Sequence, residues 1–130
     1  MKIAIGYKIK NSSWGGGNQF VSSLVSEGLK KGHQITFDLV DRDIDLILII
    51  DPRSYNDDIP FGSYEIFRYI FCVNKKTLVV HRINECDERK KTKHINLFLR
   101  LVNYFADCTV FISEWLKTLN VYQRDNLTRV

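Results

Sequence analysis

Short apolar runs alternate along this chain with stretches whose apolar positions recur every three to four residues. Residues 3–7 read as a buried strand, followed by a polar loop that ends in Gly15-Gly16-Gly17. From Asn18 the period changes. Val21, Leu24, Val25, Gly28 and Leu29 fall at i, i+3, i+4, i+7 and i+8, one face of a helix. Lys30 and Lys31 suit the negative end of that helix, and Gly32 suits a left-handed terminator. Residues 35–40 alternate at period two in their first half, as a half-exposed strand does.

Residues 46–50 are apolar on both faces, the pattern of a central parallel strand, and Asp51-Pro52 closes the run. A second helix is predicted over 64–74, with Phe67, Ile70 and Phe71 inward. Residues 78–81 form another buried strand, and a charged loop over 84–93 precedes a third helix. That helix carries Ile95, Phe98, Leu99, Val102 and Phe105 on one side and Leu97, Leu101 and Tyr104 on the other. Residues 109–112 make the last strand, Ser113 is a good N-cap for a helix over 114–119, and the polar tail after Asn120 is expected to fray. Strands separated by helix-length segments imply an α/β domain: a doubly wound, mostly parallel sheet with helices on both faces, Rossmann-like.

Composition narrows this frame. With 130 residues, 45% of them hydrophobic and 26% charged, the chain has the proportions of one globular domain over residues 1–130 and is no candidate for wholesale disorder. The longest apolar run, residues 46–50, falls far short of the roughly 18 residues of a membrane span. The N-terminal run is too short and too soon charged for a secretion signal. Cys72, Cys86 and Cys108 form no CxxC pair, which argues against a disulfide framework or zinc ribbon and suits a reducing cytoplasm. A net charge of +4 allows an anionic partner, mildly.

In open parallel sheets ligands bind beyond the carboxyl ends of the strands, where strand order reverses. The segments to inspect are therefore the loop over 11–17, Asp51, His81-Arg82 and Ser113-Glu114. Gly15, Gly16 and Gly17 would let the backbone approach an anionic or sugar ligand, with a helix N-terminus behind them; a flexible turn is the plainer reading. No Gly-Lys-Ser/Thr follows, and GxGxxG spacing is absent, so neither a Walker A loop nor a dinucleotide fingerprint is present. His81 could donate to a sugar hydroxyl or serve in acid–base work, or be structural, and Arg82 could pair with phosphate or carboxylate. In the charged loop, Asn84, Glu85 or Asp87 could orient a hydroxyl while Arg89 to Lys93 attract phosphate; the alternative is a solvated loop. No catalytic triad order or metal cluster stands out, and a lowered thiol pKa at Cys86 has no basis.

Three segments resemble a known family. Gly15-Gly16-Gly17 followed by Glu27-Gly28-Leu29-Lys30-Lys31-Gly32-His33-Gln34-Ile35-Thr36 resembles the opening signature of retaining glycosyltransferases of GT-B architecture, the group 1 or family four set. Val79-Val80-His81-Arg82-Ile83-Asn84 resembles their fourth-strand motif, and Ala106-Asp107 through Ser113 their fifth. The resemblance implies an acceptor-side first domain whose catalytic cleft is completed by a second, donor-binding domain. It places Gly16 and Gly17 near donor phosphates or acceptor, His81 on the transferred sugar, and Ser113 and Glu114 on the cleft floor. It implies no metal and no cofactor beyond a nucleotide-sugar co-substrate. The family's donor-phosphate cations and paired glutamates have no counterpart here, so the chain resembles half an enzyme and alone should not transfer sugar.

The implied partners are a sugar or lipid-linked acceptor and a donor-binding subunit, at a cytoplasmic site with room for peripheral contact at the inner face of the membrane through Lys75-Lys76 and Arg89 to Lys93. A competing reading is a stand-alone α/β interaction module that self-associates through Leu97, Leu101 and Tyr104. Nucleic acid is not expected, because the basic residues lack interleaved aromatics or a recognition motif.

Overall fold

The computed structural model describes residues 1–11, 15–53, 57–119 and 127–129, so part of the loop over 11–17 and most of the tail lie outside the described residues. Six strands form one sheet: β1 (Lys2–Ile5), β2 (Gln34–Thr36), β3 (Leu46–Ile49), β4 (Leu78–Ile83), β5 (Cys108–Phe111) and β6 (Leu127–Arg129). The helices are α1 (Gly16–Lys30), α2 (Ser63–Cys72), α3 (Asp87–Lys90), α4 (Ile95–Asn103) and α5 (Glu114–Lys117). Every neighbouring pair of strands is parallel, in the order β2-β1-β3-β4-β5-β6. The fold is the α/β, doubly wound, Rossmann-like one.

The order reverses at β1. From β1 the chain crosses outward to β2, then returns past β1 to β3 and continues the other way. With right-handed crossovers this puts α1 on one face and α2, α4 and α5 on the other. The core divides accordingly. Ile5, Leu48 and Ile50 pack with Val21 of α1 on one side. On the other, Ala4, Ile47, Ile49 and Val79 pack with Ile66 and Tyr69 of α2 and Val102 of α4. Farther along that second face, Ile83 and Phe111 pack with Leu99 of α4 and Leu116 of α5.

Helix α1 ends where its sequence directs. Gly32 takes φ +77°, and the N–H of His33 returns to the carbonyl of Gly28 at 2.9 Å. Strand β2 is shorter than its alternation suggests, because polar side chains at its end form turns. The Asp38 N–H donates to Thr36 Oγ1 and the Val40 N–H to Asp38 Oδ1, at 3.4 and 3.1 Å. At the far edge the tail does not simply fray: Leu127–Arg129 pair with β5 as a sixth strand.

The phase of α2 differs from the sequence expectation. Ile66 and Tyr69 are buried, whereas Phe67 and Phe71 are 48% and 53% exposed. The run Ile66 to Phe71 is apolar at too many positions for periodicity alone to choose a face. A polar anchor chooses instead: the Tyr69 hydroxyl donates to the Asp41 carbonyl at 2.6 Å and accepts the Ile44 N–H at 3.2 Å. Phe67 then stacks on Phe71, with ring centroids 4.4 Å apart, and meets the edge of Phe105.

Candidate functional site

The strand order places the crevice for a ligand beyond the carboxyl ends of β1 and β3. Two glycines shape the chain there, for different reasons. A Cβ on Gly6, just past β1, would lie 3.1 Å from the Phe61 ring and 3.3 Å from the Leu48 carbonyl oxygen. Gly15 caps α1 with φ +105°, a conformation costly to any residue with a side chain. Gly16 and Gly17 are another case. Among the described residues, nothing outside the helix lies within 4 Å of where their Cβ atoms would be.

Behind the glycines, Asn18 fixes the loop to the helix. It is buried, its Oδ1 accepts the Lys10 N–H at 2.8 Å, and its Nδ2 donates to the Lys10 carbonyl at 3.0 Å. This paired bond satisfies the loop backbone as a neighbouring strand would. Across the crevice, Asp51 holds Arg53 through both carboxylate oxygens: Nε donates to Oδ1 at 2.8 Å and Nη2 to Oδ2 at 2.5 Å. Asn18 and Arg53 were not singled out from the sequence; the former sits in a helix-starting run and the latter in an irregular loop.

Contrary to expectation, His81 does not end β4 and Arg82 does not stand past it. The strand continues to Ile83, with His81 beside Thr109 and Arg82 beside Val110 of β5. Alternation therefore sends the two side chains to opposite faces. His81 is completely buried on the α4 side, where its Nδ1 donates to Asn103 Oδ1 at 2.7 Å, and the same oxygen accepts the Thr109 hydroxyl at 3.2 Å. Its Nε2 is buried with no hydrogen-bond partner. Burial lowers its pKa to about 4, against the smaller opposing effects of the Asn103 bond and the Asp51 charge. The imidazole is thus a neutral core group, which corrects its expected place on a sugar: no ligand outside the core can touch it in this conformation.

Arg82 lies on the α1 side, its guanidinium carbon 4.1 Å from the centroid of the Phe20 ring. Phe20 belongs to the first turns of α1, so this stack brings the cation of β4 toward the glycine-capped helix start. Partial burial lowers the Arg82 pKa, yet its Nη1 is buried without a hydrogen-bond partner.

The remaining expected residues spread along the same edge. Asn84 is half-buried, and its carbonyl accepts Arg89 Nη1 at 2.9 Å. Ser113 caps α5, its Oγ accepting the Leu116 N–H at 3.3 Å, and Glu114 is exposed with Lys117 Nζ 3.9 Å away. From β1 to β4 is two strand spacings, about 10 Å, and to β5 three, about 14 Å. The start of α1 and Arg82 lie on the same side of the sheet, linked through Phe20. Ser113 and Glu114 could join a site there only with an extended ligand.

The charged loop is built rather than merely solvated. Asp87 starts α3, and its Oδ1 accepts the N–H groups of His94 and Ile95 while Oδ2 accepts that of Asn96. It also accepts the Thr92 hydroxyl. Burial alone would raise the Asp87 pKa, but these bonds together hold it below the usual carboxylate value. Both oxygens are committed to the start of α4, which removes Asp87 from the residues that could orient a hydroxyl. Burial also pushes the Cys86 thiol pKa up, away from a reactive thiolate. Among the described residues, no group of three His, Cys, Asp or Glu could hold a metal, and no helix is long and apolar enough to cross a membrane.

Compared with known families, curated proteins and solved structures, the chain gives no match.

Proposed function

We propose that the chain is the acceptor-binding domain of a nucleotide-sugar-dependent glycosyltransferase and that it requires a separate donor-binding domain for turnover. The observation that carries this reading is the glycine-capped start of α1, with no described residue outside the helix within 4 Å of the Gly16 and Gly17 Cβ positions, beside the β1/β3 reversal and linked to Arg82 through Phe20. A phosphate or acidic sugar seated there would meet α1 backbone N–H groups on one side and a guanidinium on the other. The motif series adds support, since its segments fall on the start of α1, on β4 and on β5 with its Ser113 cap. Of the candidate residues, Gly15, Gly16, Gly17 and Arg82 carry the ligand in this reading; His81 supports the sheet beneath.

The test is calorimetric titration with a sugar phosphate, a lipid-linked sugar phosphate and a nucleotide sugar, alongside a transfer assay on the isolated chain. The reading expects binding of an acceptor-type ligand that weakens on Arg82→Gln, with no transfer. No binding of any of the three would reject it.

A second reading, a self-associating interaction module, is favoured by one observation. Leu97, Leu101 and Tyr104 form an exposed apolar stripe along α4. Sedimentation equilibrium separates the two: the module reading expects a dimer that Leu101→Lys dissociates, and the transferase reading does not need one.

A further inference from the structure

Helices α2 and α4 are apolar on more than the side they bury. Tyr64, Phe67 and Phe71 recur at i, i+3 and i+7 along α2, and Leu97, Leu101 and Tyr104 at i, i+4 and i+7 along α4 and its C-cap. Each of these side chains is about half exposed or more. The Phe67 ring meets the edge of Phe105, just past α4, and joins the two stripes into one surface. At roughly 150–250 Å² per aromatic side chain, that surface amounts to about 600 Å², the upper end of what monomeric proteins expose. A helix that is apolar all round is one that something covers.

Charge frames the surface. Exposed Lys91 and Lys93 precede α4 at the carboxyl edge of the sheet, and exposed Lys75 and Lys76 follow α2 at the amino edge. Arg68, four residues after Tyr64, and Arg100, three after Leu97, are exposed on the same outward side of their helices. Lys75 shares a groove with Phe71 and Phe105, and Arg68 another with Tyr64. The carboxylates nearby are fewer and engaged. Glu65 Oε2 accepts the Gly62 N–H, and Asp107 Oδ2 accepts that of Val79. Asp87 holds the backbone at the start of α4, Glu88 accepts from Asn96, and Glu85 pairs with Lys90.

We propose that the α2/α4 face docks on an anionic lipid bilayer, its apolar side chains entering the headgroup boundary and its cations meeting lipid phosphates. Charge selects this occupant. Cations at both ends of an apolar strip match a surface that is negative throughout and apolar just beneath. A second copy of the chain fits worse, because symmetric pairing sets these arginines and lysines against their own kind. The tyrosines separate a bilayer from an acidic protein. Tyr64 and Tyr104 are 72% and 77% exposed, and a protein that covered them would have to supply partners for both hydroxyls. A bilayer takes the rings and leaves the hydroxyls at headgroup level. The inference departs from the self-association reading of the α4 stripe and stands whether or not the domain binds sugars.

The test is co-sedimentation of the full chain with vesicles of phosphatidylcholine alone or with about one-third phosphatidylserine. The proposal expects at least about tenfold tighter binding to the anionic vesicles, weakening as salt rises. Lys75→Gln with Lys76→Gln should cost about tenfold. Leu97→Ser with Leu101→Ser, both at exposed positions, should also cost at least about tenfold, a loss that charge alone does not give. Orientation is read from an environment-sensitive fluorophore on exposed Cys72, beside Phe71, in a Cys108→Ser background. Its emission should shift to the blue on anionic vesicles. The same label on Ser26→Cys, exposed on α1, should not shift once Cys72 is also changed to Ser. Equal binding to both vesicles, no binding, unchanged binding of the leucine variant, an unshifted Cys72 label or a solution dimer that Leu101→Lys dissociates would overturn it. So would binding to polyglutamate in place of vesicles, which would assign the face to an acidic protein.

Discussion

His81 and Arg82 are neighbours in sequence and opposites in environment. The histidine points into the covered face and is held neutral by burial, bonded to Asn103. The arginine points toward the half-covered face, stacked on Phe20 with one nitrogen unpartnered. One residue of strand register separates a fully buried neutral group from a half-buried charged one. Polar residues side by side at the end of a strand therefore need not serve one site, and in the proposed function only the arginine meets a ligand.

The sharpest break of this contrast is on the covered side. Asn103→Leu removes the acceptor of the buried His81 ring N–H, an oxygen that also accepts the Thr109 hydroxyl. Chemical denaturation should show a loss of roughly 1–3 kcal/mol, with no direct contribution from a ligand.

Acid makes the same point without mutation. The unfolded histidine titrates near 6.5 and the folded one at about 4. Between these values the unfolded state binds more protons, so stability falls as pH drops through that window and is fully present above it. The contribution amounts to about 3 kcal/mol between pH 7 and pH 4. Denaturation midpoints of the wild type and His81→Leu across this range should diverge in slope, the variant lacking this part of the acid sensitivity.

On the half-covered side stability should respond weakly. Arg82→Met keeps the apolar stem over Phe20 and removes the cation, for a stability loss of about 0.5–1 kcal/mol. It should nevertheless weaken a phosphate-bearing ligand at least about tenfold, since a charge-assisted bond is lost. A large stability loss with unchanged binding would assign Arg82 to the core alongside His81.

The smallest expected effect has the opposite sign. Gly17→Ala places a methyl group in α1 where no described residue outside the helix comes within 4 Å, which should raise stability by about 0.5–1 kcal/mol. If a ligand closes on the glycine loop, the same methyl should reduce its binding. A stabilised variant with unchanged affinity would reduce the loop to a turn.

Much of the fold was legible because its signals are local and redundant. The apolar run of β3, the 3.6-residue period and Gly32 terminator of α1, and the Ser113 cap each mark an element without tertiary help. The misses have physical causes. Ile66 to Phe71 offers more apolar positions than one face can bury, so a single hydroxyl, that of Tyr69, set the phase. Strand β4 runs on through His81 and Arg82 because β5 supplies a partner, and pairing outweighs the polarity of the side chains. Strand β6 is only three residues long and exists through its pairing with β5, which no local pattern announces. At the site, the glycine loop and Arg82 were legible as residue types. Asn18 and Phe20 matter through contacts with other segments, to Lys10 and Arg82, and Asp87 proved to be a structural cap because its partners are mostly backbone groups.

The central claim is that one face of the sheet is closed and the other only partly covered at β4 and β5. Thr109 and Val110 sit on these two faces one residue apart, and cysteine alkylation compares them directly. In a background with Cys72 and Cys108 changed to Ser, Val110→Cys should react with a maleimide in the native state, on the timescale of an exposed thiol. Thr109→Cys should stay protected until the protein unfolds. Equal reactivity of the two, or equal protection of both, would contradict the account.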